Sequence, residues 1–255
     1  MSLASLKREL ASTDPDACAS GLRRLTRYCG TDSVTEQRPA DIAQRRAELG
    51  DIEPRLLDLA QSPDEVLREL AADALGAWLG DAALETLLTL AADPVERVRA
   101  SAIGALEGWP HEVRALHALL DAVHAGRWTI RMRAARALRH FQDDEVDGAL
   151  LEALVDPDSY VRLSAADSLR RRASAPYLER LRALRDYPAP HLLDAALDLL
   201  GAVGTAEDLP LLDKTGSWLN LSQPGHVRSW ARKAARHIRQ RQKAQARASR
   251  SPAGG

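Results

Sequence analysis

Sheet-forming residues and long apolar runs are scarce in this sequence. Only 10 of its 255 residues are aromatic, and Val and Ile together number 16, which argues against a β-sandwich, a barrel or a parallel α/β core. No stretch approaches the ~20 apolar residues that span a bilayer, and charge already occurs at Lys7 without an apolar segment before it. The sequence therefore predicts a cytoplasmic protein.

Cysteine is equally rare, with Cys18 and Cys29 as the two examples. They lie 11 residues apart, or roughly 16 Å along one helix at ~1.5 Å per residue, so they cannot form a disulfide within that helix. Two thiols are also too few for a four-cysteine zinc site. We predict that both are small buried side chains in a reducing compartment.

Alanine and leucine are abundant instead, with 45 and 40 residues. Both lose little side-chain freedom in a helix, so the sequence predicts an all-α protein. Charge is balanced overall, but residues 214–255 hold ten basic side chains and no acid, which leaves 25 basic and 36 acidic ones in residues 1–213. The net charge is therefore −11 in the first part and +10 in the second.

An internal repeat of about 31 residues organises the chain. Six segments align without gaps around a central alanine, at spacings of 31, 32, 31, 31 and 35: Ala71, Ala102, Ala134, Ala165, Ala196 and Ala231. A leucine recurs every 31 residues in the preceding segments: Leu57, Leu88, Leu119, Leu150, Leu181 and Leu212. Each repeat is thus predicted to contain two helices, joined by a turn that often contains an Asp-Pro or Ser-Pro pair.

An apolar stripe about 100° wide follows the second helix of each repeat. The seventh position after the central alanine belongs to this stripe and holds Trp78, Trp109, Phe141, Arg172, Val203 and Ile238. Three of the few aromatic side chains are therefore expected in the core rather than at a ligand site. One repeat cannot bury both of its faces, so the repeats must stack.

The clearest copies of the pattern are Asp93–Leu106 (DPVERVRASAIGAL) and Asp156–Leu169 (DPDSYVRLSAADSL). They resemble the short bacterial HEAT-like repeat, also called the phycobilisome-lyase-type HEAT repeat; the likeness covers residues 52–240 and, more weakly, 3–29. The resemblance implies a right-handed α-solenoid of six to seven two-helix repeats. Such proteins include scaffolds, chromophore lyases, metalloenzymes and DNA-binding proteins, so the fold alone does not assign a function.

The resemblance also implies a structural role for an arginine near the start of the second helices. In HEAT-like repeats this arginine pairs with acids of adjacent repeats, and several aspartates lie near each copy here. The arginines are Arg68, Arg99, Arg131, Arg162 and Arg228, with Leu193 at the sixth position.

Four regions are predicted along the chain. Residues 1–29 form a degenerate helical pair that caps the array, and residues 30–51 form an insertion. Residues 52–240 form the repeat array, and residues 241–255 form a basic, disordered tail. The last repeat is four residues longer than the others, which presents Trp218 among turn residues as a candidate contact.

The polar face of the second helices predicts a protein-binding scaffold or adaptor. Side chains opposite the apolar stripe alternate in sign along the array, which suits a protein or peptide partner better than the continuous phosphates of a nucleic acid. The predicted binding residues are Arg133, Arg136, Arg139, His140, Arg170, Arg171, Asp194, Asp198, Trp218, Arg232, Lys233 and Arg236.

Two alternatives remain open. The basic C-terminal end could bind nucleic acid, and the HEAT-like DNA glycosylases, which cradle a duplex, are of similar length. The other alternative is a HEAT-like lyase or chaperone for a chromophore, or an immunity-type protein.

Motifs that carry chemistry are not found in the sequence. It contains no glycine-rich phosphate loop, nucleophile elbow or His-x-x-x-His zinc pair. His117, Asp121 and His124 share a helix face, but one helix supplies all three. We therefore expect no metal site and no cofactor, and a protein that is not an enzyme.

Overall fold

The structure is a computed structural model that describes residues 2–29, 47–50, 52–80, 82–172, 200–202, 204–217 and 225–248, together with Gln44 and Leu197. These residues form α-helices and short 3-10 turns, and no strand occurs among them. The all-α prediction is confirmed. The chain divides into two bodies, residues 1–146 and residues 147–255.

Helices of the first body follow one another in pairs along the chain. The pairs are α1 (Leu3–Leu10) with α2 (Pro15–Cys29), α3 (Glu53–Ala60) with α4 (Glu65–Trp78), α5 (Ala83–Leu90) with α6 (Glu96–Ala105), and α7 (Val113–Ala122) with α8 (Trp128–Ala137). The 3-10 turns Leu106–Gly108 and Leu138–His140 continue α6 and α8. The second helices stack side by side, with α2 on α4, α4 on α6 and α6 on α8.

Small residues allow this stacking. The central alanines Ala71, Ala102 and Ala134 are fully buried, and so are Ala165 and Ala231 in the second body. Helices α4 and α6 approach so closely that a Cβ atom built on Gly76 would lie 2.6 Å from the Cβ of Ala105. The central-alanine row is therefore confirmed at every described copy; Ala196 lies outside the described residues.

The leucine row is confirmed only in part. Leu119, Leu150 and Leu212 are fully buried, whereas Leu57 and Leu88 are half-buried. In those two repeats the preceding residues, Leu56 and Leu87, occupy the core position. The buried leucines at positions 56, 87, 119 and 150 are 31, 32 and 31 residues apart, as are the central alanines of the same repeats. The spacing of 32 arises because one extra residue lies between Ala102 and Leu119.

The slot seven residues after the central alanine is a core position in most of the described repeats. Trp78, Phe141 and Ile238 are buried there, while Trp109 is half-buried. In the fourth repeat the slot holds Arg172, whose side chain is 3% exposed and whose Nε lies 2.6 Å from Oδ1 of Asp147. Val203 lies outside the described residues.

An arginine of the second helix holds the turn that precedes that helix. Nη1 of Arg99 donates to the carbonyl oxygens of Asp93 (2.6 Å) and Pro94 (2.9 Å). Three further arginines donate in the same way to carbonyls five and six residues earlier: Arg68, Arg131 and Arg162. Arg68 also pairs with Asp93 of the next repeat, as the resemblance implies, at 2.8 Å between Nε and Oδ2. These arginines thus stabilise their own turns as well as one contact between repeats.

Three of the described helices lie wholly within the second body, and two of these enclose a separate apolar core. They are α10 (Ser159–Arg172), α11 (Leu209–Gly216) and α12 (Gly225–Ala248), while α9 (Asp144–Ala153) spans the boundary at residue 147. The core is formed by residues of α11 and α12 together with Leu197; the helix residues are Leu212, Val227, Ala231, Ala234, Ala235 and Ile238.

Helix α12 continues well past residue 241, where the sequence predicts a disordered tail. Alanine, glutamine, lysine and arginine, which favour helix, fill residues 239–248. Arg241 anchors the extension, because its guanidinium donates to the carbonyl oxygens of Gly201 and, at 2.7 Å, of Gly204. Residues 249–255 lie outside the described part.

Two further expectations can be compared with the structure. Cys18 and Cys29 are buried, and neither forms a disulfide within the described residues, as predicted. Most of the insertion at 30–51 lies outside the described residues, although Ala47–Leu49 is helical and Leu49 is buried. None of the helices in the described part has the length and apolar character needed to cross a membrane.

Candidate functional site

An open groove of about 490 Å³ crosses the N-terminal halves of α4, α6 and α8. Glu65 and Glu96 are the first residues of α4 and α6, where the partial positive charge of a helix N-terminus favours a carboxylate. The lining combines acids and arginines with small and apolar side chains: Glu65, Glu69, Val95, Glu96, Arg97, Ala100, Thr129, Met132 and Arg133.

Ion pairs link successive repeats across this groove. Arg97 of α6 pairs with Glu65 and, at 3.3 Å from Nε to Oε2, with Glu69 of α4. Glu96 of α6 accepts a hydrogen bond from Oγ1 of Thr129 at 2.7 Å and lies 3.1 Å from Nε of Arg127. The Arg97 and Glu65 side chains are 44% and 50% exposed, and such exposed pairs contribute only about 0–1 kcal/mol. A partner could therefore replace these contacts at little energetic cost.

Arg133 is the predicted binding residue that lines the groove. It crosses α6 at Gly104, where a built Cβ atom would lie 3.2 Å from Nη1 and 3.3 Å from Cδ of the arginine. Burial raises the pKa of the nearby Asp73, and the charges of Arg133 and Arg136 oppose that increase. Arg136 is exposed and Arg133 lines the open groove, so a partner can reach both of these predicted arginines.

Arg139 and His140 are placed differently from the prediction. Their side chains are only 12% exposed, and Nε of Arg139 donates to Nε2 of His140 at 2.8 Å. Both point towards Glu107, whose Oε2 lies 3.7 Å from Nη2 of Arg139 and from Nε2 of His140, too far for a hydrogen bond. They belong to a buried cluster rather than to an exposed binding surface.

Glu107 is the unusual member of this cluster. It is 7% exposed, and its Oε2 has no hydrogen-bond partner among the described residues. Burial raises the pKa of its carboxyl group, and the charges of Arg136, Arg139 and Arg133 only partly oppose that increase.

The remaining predicted residues belong to the second body. Arg170 and Arg171 are exposed, but both pair with Asp167, Arg171 at 3.0 Å from Nε to Oδ2. Asp194, Asp198 and Trp218 lie outside the described residues. Arg232 and Arg236 line a common groove between α11 and α12. Lys233 lies elsewhere, with Nζ 4.1 Å from the ring centroid of Trp230.

Sequence reasoning did not identify Glu65, Glu96 and Arg97 as site residues. The predicted residues on the second helices lie between two positions before and six positions after the central alanine, whereas these three lie six or five positions before it. The glutamate two positions after both Pro63 and Pro94 was the available signal, together with Arg97 directly after the second glutamate. No group of three or more His, Cys, Asp or Glu within the described ranges could hold a metal ion.

Comparisons with known proteins identify the repeat. The sequence model of HEAT repeats matches residues 53–139, 87–170 and 116–189, which together cover more than half of the chain. A designed armadillo repeat protein in complex with the peptide (KR)4 has a TM-score of 0.52 at 17% identity, over 93% of this chain and 100% of that one. The complex of CpcE and CpcF of phycocyanin lyase from Nostoc sp. PCC7120 has a TM-score of 0.51 at 18% identity, over 93% and 95%. The predicted α-solenoid fold is thereby confirmed.

A curated relative is more similar in sequence over a shorter length. Phycocyanobilin lyase subunit alpha from Nostoc sp. (strain PCC 7120) is 33% identical over 112 residues, which covers 39% of this chain and 41% of the relative. The chain thus matches about two fifths of that protein's length.

This likeness corrects the expectation that the protein is not an enzyme. The relative is a subunit of a lyase, so the lack of familiar catalytic motifs is not a valid reason to exclude enzymatic activity here. Catalytic groups on a repeat scaffold come from side chains of different helices, and no fixed sequence spacing reveals them.

Proposed function

The chain belongs to the HEAT-repeat family, and we propose that it works by binding a protein or peptide partner along the face of its second helices. The observation that carries this proposal is the groove across α4, α6 and α8, to which three consecutive repeats contribute. Stacked repeats create extended binding surfaces because each repeat adds similar contacts beside those of its neighbour. The fully buried alanines behind the groove provide a rigid base for it.

Charge indicates what kind of partner fits. Three acids and two arginines line the groove, so a partner with side chains of both signs could form ion pairs along its length. The continuous phosphates of a nucleic acid would meet Glu65, Glu69 and Glu96. Arg133 and the exposed Arg136 belong to the proposed contact surface, and Arg170 and Arg171 stay a prediction for the second body.

Two proteins of similar fold support this proposal through what they bind. One is a designed repeat protein in complex with the peptide (KR)4, and the other is a complex of two lyase chains. In both, a solenoid of similar fold associates with another protein or peptide chain.

Two exposed arginines provide a matched test. Arg97 on the second-helix face pairs with Glu65, and Arg114 on the first-helix face pairs with Glu85; each pair joins successive repeats. The wild-type chain would capture its partner from the source organism, and the purified partner would then be titrated against each variant. Arg97→Glu should weaken binding at least roughly tenfold, because it places a third carboxylate beside Glu65 and Glu69. Arg114→Glu should change binding by less than about twofold.

Equal affinities for the two variants, with the fold of both confirmed by circular dichroism, would contradict the proposed surface. A stronger effect of Arg114→Glu would place the partner on the first-helix face instead.

A lyase subunit is a second candidate function, and the 33% identity to phycocyanobilin lyase subunit alpha favours it. The purified chain would be mixed with phycocyanobilin and apo-phycocyanin. This candidate predicts a visible absorption band that stays with the acceptor protein on a denaturing gel only when the chain is present. Equal covalent labelling without the chain would exclude the candidate.

A further inference from the structure

The second body contains another groove, of about 610 Å³, between α11 and α12. The α12 side presents four exposed cations: Arg232, Arg236, Arg239 and Lys243. Their spacing of four, three and four residues places them on one side of the helix. Small residues, Ala235 and Gly216, also line the groove and leave room between the two helices.

The cationic stripe extends beyond the groove. Arg247 continues it, so that the stripe from Arg232 to Arg247 is about 22 Å long at 1.5 Å per residue. Helix α12 contains no acid. Within the part of the chain that the structure describes, Arg236, Lys243 and Arg247 form no hydrogen bond or ion pair. These three charges are therefore available to an external partner.

The helix that displays the stripe is held firmly in place. Arg241 points to the opposite side of α12 and donates to the carbonyl oxygens of Gly201 and Gly204. Burial lowers the pKa of Arg241, as expected for a side chain inserted against the body. A surface fixed in advance loses less entropy when it binds a partner.

Contacts already made in the groove indicate which ligand atoms it accepts. Nη2 of Arg239 donates to Oδ2 of Asp213 at 2.5 Å, and Nη1 of Arg232 donates to the carbonyl oxygen of Gly216 at 2.8 Å. The fork of a guanidinium group matches a carboxylate well. Carboxylate and peptide carbonyl oxygens are the acceptors that a protein segment supplies.

We propose that this groove binds an acidic helical segment of a partner protein, with glutamates or aspartates at positions i, i+4, i+7 and i+11. That spacing matches the cations on α12. The ring of Trp230 lies under Lys233, so it is not open for stacking with bases. This site is independent of the second-helix face in the first body.

A defined peptide tests the proposal. The probe is a labelled 16-residue peptide of alanine and glutamine with glutamates at positions 2, 6, 9 and 13, titrated with the full chain by fluorescence anisotropy. Lys243→Glu should weaken binding roughly tenfold, because it replaces one groove cation by an acid. Lys233→Glu is the matched control, since it makes the same charge change on the same helix outside the groove, and it should change binding by less than about twofold. Arg236→Glu, at a second exposed position in the groove, should repeat the loss.

Three results would overturn the proposal. The first is an equal loss for Lys233→Glu and Lys243→Glu, which would indicate attraction by net charge alone. The second is equal binding of a peptide with the same four glutamates spread around its helix. The third is tighter binding of a single-stranded or duplex oligonucleotide with the same number of charges.

Discussion

At the scale of single residues, two acids of the repeat array have pKa values shifted in opposite directions. Asp93 receives hydrogen bonds from Nε and Nη2 of Arg68 at 2.8 and 3.2 Å, which hold the pKa of its carboxyl group below the usual range. Glu107 also faces an arginine, but at 3.7 Å and without a hydrogen bond to its Oε2, and burial raises its pKa. The hydrogen bond from Arg68 is the larger effect at Asp93, whereas burial is the larger effect at Glu107.

Asp93→Asn should destabilise the first body at neutral pH. The substitution leaves the guanidinium of Arg68, which is 15% exposed, without its carboxylate, at a cost of about 1–3 kcal/mol. Because the pKa of Asp93 is lower in the folded state, its contribution exists above the unfolded pKa of ~3.9 and is lost as the pH falls through the folded value. Urea unfolding at pH 7 and pH 3 checks this: the wild-type advantage should shrink at pH 3. Glu85→Gln, in an exposed pair with Arg114, serves as the control and should change stability by less than about 0.5 kcal/mol.

Glu107 should contribute a pH dependence of the opposite sign, and Glu107→Gln should remove it. The folded-state pKa of Glu107 is raised, so the folded protein binds this proton more tightly than the unfolded chain. Its ionisation then reduces the free energy of unfolding as the pH rises above the unfolded pKa of ~4.3. The glutamine variant lacks that dependence and should be at least as stable as the wild type at pH 8. A clear loss of stability in a thermal melt at pH 8 would show that the ionised carboxylate stabilises the cluster.

The sequence predicted the buried alanines but not the cluster around Glu107, and the reason lies in how a helix ends. A helical wheel assumes 100° per residue, and α8 follows it as far as Ala137. The chain then continues as the 3-10 turn Leu138–His140, which advances ~120° per residue. The wheel therefore does not apply beyond Ala137, although it was used to assign Arg139 and His140 to the exposed face.

Whole helices show the same limit in the leucine row. The sequence correctly predicts two-helix repeats, because the spacing of the central alanines and the apolar stripe agree. The leucines that recur every 31 residues nevertheless do not occupy equivalent positions, because they lie on two different faces of the first helices. Leu56 and Leu87 are buried where Leu57 and Leu88 were expected. One extra residue in a connecting segment causes this shift, and the pattern of leucines alone does not reveal where such a residue lies.

Gly76→Ala should destabilise the contact between α4 and α6. The added methyl group would lie 2.6 Å from the Cβ and 3.0 Å from the Cα of Ala105, so the helices must separate. We expect a net loss of about 1–3 kcal/mol, because such overpacking outweighs the gain in helix propensity. Urea unfolding of Gly76→Ala and of the wild type measures this loss in the free energy of unfolding. Gly126→Ala is the control, since nothing lies within 4 Å of its built Cβ, and its stability should be unchanged or higher. Equal stabilities would show that the stacked helices tolerate a wider separation.

At the scale of the whole molecule, the uneven distribution of charge corresponds to two different surfaces. The sequence gives a net charge of −11 over residues 1–213 and +10 over the rest. In the first body, acids and arginines share one groove across three second helices. In the second body, the cations collect on one side of α12. The charge difference was predictable from the sequence, whereas the grooves depend on which helices lie side by side.

Photocrosslinking tests directly whether a partner binds along the second helices of the first body. A photoreactive amino acid would replace Met132, which lines the groove on α8, or Val113, which is 61% exposed on α7. Each variant would be irradiated in an extract of the source organism, and the crosslinked proteins would be identified by mass spectrometry. One protein should be crosslinked from position 132 and not from position 113. If a protein were crosslinked from position 113 and none from position 132, binding along the second helices would be contradicted.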